Sequence, residues 1–593
     1  MSIIILELGC PMFREGHSLL TDRKLKMVQN GPVESTKNKQ VDNSLTARSR
    51  LEHGVRFMEL KDSRFVRGLA VMAVSAVVLT GCADSTASDG NSVPSSDRMT
   101  ATRGILGDQT IPGAPIEGGR LSFAGYTPIT SLDPTVTPAT GSTGGTEMAA
   151  VYDVLMRYDA DSEKFEPQMA KSLEESVDHL AWTLKLRDGV QFSDGTPFNA
   201  DAVVASIERY NQKSGMFAPL FNEVVQNISA KDPATVEFTL NKAWHNFPAI
   251  LSYGHGMIVA PSSQQGDKFT PIGAGPFTVA NLEPSQQLDL NARSDYWGGK
   301  PHLDALRFVA IAGEKPKIDA LKTSGVEMIY LRDADTVNVA KEVFPGFLDF
   351  TNMSMVGNIN NSPGRPGADP VVRQAMAYAI DPEIVNERAR GGEGIGGSDM
   401  FGPESFWHGE VGGVLPDAVK ARRLVDQAKA GGFDGKITYV AVNSSEAQQV
   451  ALAVQAQLNA VGFATTIEYA STTTDMVMRT IINRDYDLSL GALDISDIDP
   501  EVRLFNALSS TRNNTIGLKS PEMDALLSNV ISAPDDDAKR AAINDIQVFV
   551  SEEQPILTWS STGEIFMAWS DNVYGVKPSV DLIMLFDKVF IGD

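Results

Sequence analysis

Three aspartates stand close together late in the chain, in the stretch Asp494-Ile-Ser-Asp497-Ile-Asp499-Pro500. A carboxylate can pair with a cationic ligand, and two neighbouring carboxylates can serve as general acid and base in a hydrolase. The stretch lacks the central glycine and terminal glutamate of an EF-hand loop, which disfavours calcium. Three interpretations stay open: an acid that binds ligand, a hydrolase that uses Asp494 and Asp497, and a solvated loop.

Other signatures of enzyme chemistry are absent from the sequence. It has no H-E-x-x-H zinc motif, no G-x-S-x-G nucleophile elbow and no Walker-type phosphate loop. Residues 392–397 match G-x-G-x-x-G, but they follow a helical segment and open none, which indicates a flexible loop. No two histidines after Cys82 have the spacing of metal ligands on one helix; they are His179, His245, His255, His302 and His408. We therefore expect no catalytic residue, no metal and no cofactor.

Cys82 is the second and last cysteine of the chain, after Cys10, so no disulfide framework is available to the residues that follow it. An apolar run at residues 69–79 is too short to span a bilayer but has the length of a signal-peptide core. Basic residues precede this run, at Lys61, Arg64 and Arg67. The run ends in Leu79-Thr-Gly-Cys82, which resembles the bacterial lipobox, where a signal peptidase cuts before a lipidated cysteine. The alternative is a chance core segment with one buried cysteine.

The net charge of the chain also changes sign at Cys82. Residues 1–81 carry a net charge of +4 and residues 82–593 a net charge of −28, within a total of −24. Because so acidic a body is repelled by phosphates, we exclude nucleic acid as a partner. The segments predicted from these features are an upstream extension absent from the mature protein (1–57), a lipoprotein signal peptide (58–81) and a flexible linker (82–118).

Periodicity predicts alternating helices and strands after residue 119. Apolar residues at Met148, Val151, Tyr152, Leu155 and Met156 predict an amphipathic helix across 147–158. Residues 181–186 alternate as a half-buried strand, and Asn199 begins a helix. Residues 436–442, 450–461 and 463–469 predict a β-α-β unit with parallel strands, so the fold class is α/β.

Three blocks of sequence carry a family resemblance. They are WTLKLRDGVQFSDGTPFNADAV (182–203), GPF (275–277) followed by DYWGGKPHLD (295–304), and VRQAMAYAID (372–381). Together, in this order, they resemble the family 5 extracellular solute-binding proteins, the peptide/nickel class that serves ABC importers. The resemblance runs from about residue 119 to the C-terminus.

The resemblance implies a two-lobed α/β fold of the large periplasmic peptide-binder type, with two segments crossing between the lobes. We expect the crossings near 355–361 and 554–561, which divides the chain into lobe I (119–355), lobe II (356–558) and a return to lobe I (559–593). It also implies a monomeric, non-enzymatic receptor, lipid-anchored outside the cell membrane, that hands a di- or oligopeptide to an ABC permease and its ATPase. Nickel or a metal chelate, an oligosaccharide, another amine-bearing solute, and an envelope scaffold remain alternatives.

In peptide-binding relatives an aspartate shortly before an Asp-Pro pair meets the α-amino group of the ligand. Asp499-Pro500 is the corresponding pair here, and Asp494 and Asp497 are both candidates for the upstream acid because the spacing departs from the family pattern. We further expect Tyr126, Asn360 and Trp407 to line the ligand cleft.

Overall fold

The computed structural model describes residues 103–111, 113–511 and 514–592. Cys82, the predicted extension (1–57), the predicted signal peptide (58–81) and the first part of the predicted linker lie outside the described residues. Within the described part of the chain, no helix has the length and apolar character needed to cross a membrane.

The strands are numbered in chain order. They are β1 Gly104–Leu106, β2 Arg120–Ala124, β3 Met156–Asp159, β4 Lys164–Pro167, β5 Ala170–Glu175, β6 Ala181–Leu186, β7 Val225–Asp232, β8 Thr235–Leu240, β9 Gln264–Gln265, β10 Lys268–Phe269, β11 Phe277–Glu283, β12 Gln287–Ala292, β13 Ala305–Val309, β14 Met328–Leu331, β15 Gly346–Ile359, β16 Lys436–Val442, β17 Ala464–Ala470, β18 Leu488–Gly491, β19 Ile556–Trp569, β20 Val573–Tyr574, β21 Lys577–Pro578, β22 Met584–Leu585 and β23 Phe590–Ile591.

The helices are numbered in the same way. They are α1 Gly145–Tyr152, α2 Ala200–Gln212, α3 Ala218–Val224, α4 Phe247–Ile250, α5 Glu314–Lys322, α6 Ala334–Lys341, α7 Pro370–Ala379, α8 Pro382–Arg390, α9 Ala418–Ala430, α10 Ser445–Ala460, α11 Thr473–Val477, α12 Pro500–Leu508, α13 Pro521–Ser532 and α14 Asp536–Glu553.

Two long antiparallel strands organise the main sheet. Its order is β11-β12-β13-β2-β14-β19-β15-β18-β16-β17, and β1 pairs with β15. β15 and β19 are paired from Gly346↔Ala568 to Asn358↔Ile556 and include most of the residues predicted as crossings. Parallel pairs lie on both sides of them, since β2 pairs with β13 and β14, and β16 pairs with β17 and β18. A separate antiparallel sheet has the order β5-β6-β8-β7.

The sequence predicted several of these elements. The β-α-β unit is confirmed as β16, α10 and β17, with parallel pairing from Lys436↔Ala464 to Val442↔Ala470. The strand predicted at 181–186 is β6, and Asn199 caps α2 by accepting a hydrogen bond from the backbone N–H of Ala202. Local patterning was sufficient in these places because each element exposes one face and buries the other.

The helix predicted across 147–158 was wrong at its C-terminal end. α1 stops at Tyr152 because Asp153 takes a left-handed backbone conformation (φ 58°), and Met156 already belongs to β3. The Asp153 side chain is buried and accepts hydrogen bonds from Tyr296 Oη (2.6 Å) and Trp297 Nε1 (3.3 Å). Burial raises the pKa of this carboxyl to about 7. A distant aromatic pair thus ends the helix where local periodicity would extend it.

Buried side chains form three clusters. The first joins residues of β2, α1–α4 and β11–β13 with residues of α12–α14, and the second joins β15–β18 with α7, α9 and α10. The third packs α5 and α6 against β14 and β19. The first cluster therefore draws on both sides of the predicted lobe boundary near residue 355, and the division into lobes stays a prediction.

Glu147, in the first turn of α1, allows a test of stability against pH. Its side chain is buried, and burial raises its pKa from 4.5 to about 7. Stability from a carboxyl with a raised pKa is fully present below the unfolded pKa and is lost as the pH rises through the folded pKa. We expect Glu147→Gln to melt near the unchanged protein at pH 4.5 and to be more stable at pH 8, by up to about 3 kcal/mol.

Thermal melts from pH 4.5 to pH 8 measure this difference. Glu522 is a matched control because it lies in the first turn of α13 but is exposed, so Glu522→Gln should follow the unchanged protein at every pH. A stability difference for Glu147→Gln that does not vary with pH would show that the carboxyl does not titrate with the raised pKa.

Candidate functional site

A charged cavity lies where loops from distant parts of the chain meet. It contains about 550 Å³ of space and is lined by Pro138, Thr140, Ser142, Thr143, Met216, Tyr330, Arg332, Asp494, Arg503, Ile565 and Asp581. Arg332 directly follows β14, and Asp494 comes three residues after β18. Strand ends that carry side chains into a crevice are the usual position for ligands in open α/β sheets.

Asp494 forms a two-pronged ion pair with Arg332. The distances are 2.8 Å from Nη2 to Oδ1 and 3.4 Å from Nη1 to Oδ2, and Thr351 Oγ1 also donates to Oδ1 (3.4 Å). The charge of Asp494 raises the pKa of the Arg332 guanidinium. Both side chains keep some exposure, 24% for Asp494 and 19% for Arg332, so solvent or a ligand can reach the pair.

Tyr126 belongs to the same group of residues. Its ring centroid lies 5.2 Å from Arg332 Cζ and 5.5 Å from the centroid of Tyr330. Asp494 and Tyr126, two of the predicted site residues, therefore lie together because both contact Arg332. Arg332 was not predicted from the sequence. The ring is 40% exposed and offers an aromatic face beside the charged pair.

A second ion pair lines the cavity. Arg503 Nη2 lies 3.1 Å from Asp581 Oδ2, and both side chains are largely buried. Burial raises the pKa of Asp581 to about 6, although the neighbouring Arg503 lowers it. Asp494 and Asp581 both have left-handed backbones (φ 49° and 53°). Such strained conformations persist where surrounding contacts fix them and are frequent in ligand sites.

The cavity thus offers two cations and two anions in one partly desolvated space. Among the described residues that line it there is no histidine and no cysteine. Paired charges of both signs suit a small molecule that itself carries an ammonium and a carboxylate. The arrangement is suited to binding.

Asp497 lies elsewhere and is engaged by the protein. Its carboxylate accepts hydrogen bonds from Asn352 Nδ2 (2.8 Å), Ser405 Oγ (2.6 Å) and the backbone N–H of Phe406 (3.0 Å), and it pairs with Arg103 at 3.2 Å. The side chain is buried and does not line the cavity. These contacts fix the loop around residue 405 against β15.

Trp407 and Asn360 also make structural contacts. Trp407 is buried, and its Nε1 donates to the backbone oxygen of Asp497 (2.8 Å). Asn360 is fully buried and donates from Nδ2 to the backbone oxygens of Arg484 (3.1 Å) and Tyr486 (2.9 Å). Neither side chain lines the charged cavity, and their contact with ligand stays a prediction.

A second cavity, with about 480 Å³ of space, lies between α7 and the end of α14. Its described lining includes Met400, Val414, Val550 and Trp559 and no charged side chain. Because this second cavity offers no charged group to select an ionic solute, the cavity around Asp494 is the better candidate site.

Arg332, Arg503 and Asp581 were not identified from the sequence. The one local signal is that Arg332 directly follows a short, fully buried strand, Met328–Leu331. Arg503 and Asp581 lie 78 positions apart and carry no local signal of their pairing.

Known proteins resemble this chain along most of its length. The family model described as bacterial extracellular solute-binding proteins, family 5 Middle, matches residues 164–515. The chain is 25% identical to Heme-binding protein A of Haemophilus influenzae over 448 residues, 68% of this chain and 80% of that protein. It is 24% identical to the probable D,D-dipeptide-binding periplasmic protein DdpA of Escherichia coli over 481 residues, 75% of this chain and 91% of that protein.

A solved structure shows the same fold. The periplasmic binding protein DppA from Helicobacter pylori, in complex with the peptide STSA, superposes with a TM-score of 0.68 at 22% sequence identity. The superposition covers 81% of this chain and 99% of that one. The predicted fold class, a two-lobed α/β fold of the peptide-binder type, is confirmed.

Proposed function

The chain belongs to the bacterial extracellular solute-binding proteins of family 5, and from this membership we propose that it captures di- or oligopeptides for an ABC importer. The protein would close around the peptide between its lobes and deliver it to a membrane permease driven by a separate ATPase. It would act as a monomer and carry out no chemical step.

The ion pair between Asp494 and Arg332 is the observation that carries this proposal. Asp494 is the acid of the 494–499 stretch that lines the cavity, whereas Asp497 is occupied by Arg103, Asn352 and Ser405. We therefore assign the contact with the peptide ammonium to Asp494. An ammonium that enters would share the Asp494 carboxylate with the Arg332 guanidinium, so neither side chain loses its charged partner on binding.

The arginines of the cavity would receive the other end of a short peptide. A guanidinium binds a carboxylate through two parallel hydrogen bonds, and both Arg332 and Arg503 line the cavity. Tyr126 contacts Arg332 but does not itself line the cavity, and it would supply an aromatic surface for a ligand side chain.

The contacts of Asp497 argue against a hydrolase. Acid–base catalysis needs both carboxylates close to one bond of the substrate. Asp497 is buried in its own network of hydrogen bonds, so it would have to leave that network to serve as the partner of Asp494. The similarity of this chain to DdpA and DppA, which are described as binding proteins, also argues against a hydrolase.

The lobe boundaries remain part of the proposal, with lobe I at 119–355 and 559–593 and lobe II at 356–558. Two observations support them. The second hydrophobic cluster lies almost entirely inside the proposed lobe II, and the backbone N–H of Met584 donates to Thr146 Oγ1 (3.2 Å), inside lobe I.

Mass spectrometry of small molecules released from protein purified under native conditions is the direct test. We expect short peptides at one per chain, and we expect a peptide mixture to raise the melting temperature. Recovery of a sugar or a metal chelate would replace the peptide assignment. Turnover of an added peptide would contradict the receptor proposal itself.

We also propose that Cys82 carries the lipid anchor. Two acyl chains hold a protein on a membrane, whereas a single chain does so only marginally. We expect the mature chain to begin at an acylated Cys82, and Cys82→Ala to leave an unprocessed precursor or a shed protein. Mass spectrometry of the N-terminus in the membrane fraction measures this, with Cys10→Ala as the matched control. An intact chain from Met1 without lipid in that fraction would contradict the proposal.

A further inference from the structure

A group of three metal-ligand side chains lies at one end of the β5-β6-β8-β7 sheet, and none of the three lines the charged cavity. Glu175 is the last residue of β5, His179 lies in the turn between β5 and β6, and His245 follows β8. Nδ1 of His179 lies 3.1 Å from Glu175 Oε1, and Nδ1 of His245 lies 3.0 Å from the same atom. One ligand atom from each residue falls within 4.8 Å of the other two.

Hydrogen bonding does not explain why the two histidine nitrogens lie so close to Glu175 Oε1. Glu175 Oε1 is a buried atom without a hydrogen-bond partner among the described residues, although two ring nitrogens lie within 3.1 Å of it. The ring N–H directions therefore miss the oxygen. Ligands of one metal ion show this relation, because their lone pairs point at the ion and not at one another.

The spacing also suits a small divalent cation. With bonds of about 2.0–2.2 Å to zinc, tetrahedral nitrogen and oxygen ligands stand about 3.3–3.5 Å apart. The two nitrogen-to-oxygen distances, 3.0 and 3.1 Å, reach that spacing after side-chain movements of a few tenths of an ångström, and the third pair of ligand atoms lies within 4.8 Å. Calcium and magnesium prefer ligand sets made of oxygen alone, so two imidazoles select a transition metal.

The turn holds His179 in its position. His179 has a left-handed backbone (φ 60°), and its N–H donates to the backbone oxygen of Ser176 (3.0 Å). Asp178, the other carboxylate of the turn, accepts from Ser176 Oγ (2.6 Å) and from the backbone N–H of Leu180 (3.2 Å). Both bonds go to Oδ1 of Asp178, and this residue is not one of the three grouped ligands.

We propose that Glu175, His179 and His245 form a zinc site, with the fourth position open to water or to a ligand from outside. The His179 side chain is 51% exposed and the other two are 22% exposed, so the ion can exchange with solvent. Zinc bound there joins the β5–β6 turn to the segment after β8. The site is independent of the proposed peptide receptor function.

Titration of the full chain, purified without a histidine tag, with zinc chloride in a calorimeter tests the site. We expect one zinc ion per chain and a melting temperature that rises with zinc and falls back with EDTA. His179→Ala and His245→Ala should each weaken zinc binding about 100-fold, and Glu175→Gln by about 10-fold or more. Cobalt(II) should give the visible absorption of tetrahedral coordination, and His245→Ala should abolish it.

His302 provides the matched control. It also approaches a carboxylate, with Nδ1 2.7 Å from Glu117 Oε1, but it belongs to no group of three metal ligands among the described residues. His302→Ala should bind zinc like the unchanged protein. Equal zinc affinity in His179→Ala and the unchanged protein would overturn the proposal, as would absence of zinc binding by the unchanged protein. Melting curves in EDTA verify that each variant is folded.

Discussion

Asp494→Asn is expected to weaken peptide binding by about 30-fold to several thousand-fold, which corresponds to about 2–5 kcal/mol. The reason is that the ligand ammonium would lose its charged partner in a partly desolvated cavity, where the carboxylate now meets Arg332 at 2.8 Å. A carboxylate on an open surface would contribute less than about 1 kcal/mol. Calorimetry with the peptides recovered from the native protein measures the effect.

Asp485 offers a matched control. It also pairs with an arginine, Arg365 at 3.3 Å, but its side chain is 71% exposed and it does not line the cavity. Asp485→Asn should bind peptide like the unchanged protein. An N-acetylated peptide should lose affinity for the unchanged protein but lose little more in Asp494→Asn. If acetylation leaves the affinity of the unchanged protein the same, the amine is not the recognised group.

Arg332 needs its own control, because removal of the Asp494 charge leaves a largely buried guanidinium without its main partner. Part of any loss in Asp494→Asn would then reflect altered packing around that cation. The double variant Asp494→Asn with Arg332→Gln removes both charges. If it regains the affinity of the unchanged protein, the charge of Asp494 acts on Arg332 and not on the ligand.

The parts of the fold that the sequence predicted are those in which neighbours along the chain decide the structure. β16, α10 and β17 follow from apolar spacing, and α2 begins where Asn199 can accept from its third following N–H. The end of α1 depends on Asp153 and on two aromatic rings more than 140 positions away. No local pattern records that contact.

For the candidate site too, local sequence predicted some features, whereas contacts between distant residues could not be predicted. The sequence named Asp494 and Asp497 together, because spacing alone could not separate a ligand acid from a structural one. What distinguishes them are partners from other segments: Arg103 lies 394 positions before Asp497, and Arg332 lies 162 positions before Asp494. Trp407 and Asn360 are buried in the structure, but neither a tryptophan nor an asparagine by itself distinguishes a cleft from a core, so their burial could not be predicted from the sequence.

A buried ion pair between α12 and α14 was also not predicted from the sequence. Lys539 Nζ lies 3.3 Å from Glu501 Oε2, and their side chains are only 10% and 1% exposed. Glu501 Oε1 accepts from Asn246 Nδ2 (2.8 Å), in the segment after β8. Burial, and next the charge of Glu501, raise the pKa of the neighbouring Asp499 well above its ordinary value. Lys539 therefore compensates the charge of an acidic, water-excluded pocket.

Lys539→Met is expected to destabilise the protein by about 3–5 kcal/mol, because the Glu501 carboxylate would remain buried without its cation. Adding Glu501→Gln should recover most of this loss, since the amide oxygen can still accept from Asn246 and no charge remains to be compensated. Urea unfolding of the single and double variants measures both changes.

Lys436→Met is the matched control, because Lys436 pairs with Asp434 at 2.9 Å while the two side chains are 76% and 60% exposed. A pair so open to solvent should contribute less than about 1 kcal/mol. If Lys539→Met costs no more than Lys436→Met, Lys539 does not compensate a buried charge on Glu501. If instead the double variant is as unstable as Lys539→Met alone, the loss comes from the packing of the lysine stem and not from an uncompensated charge.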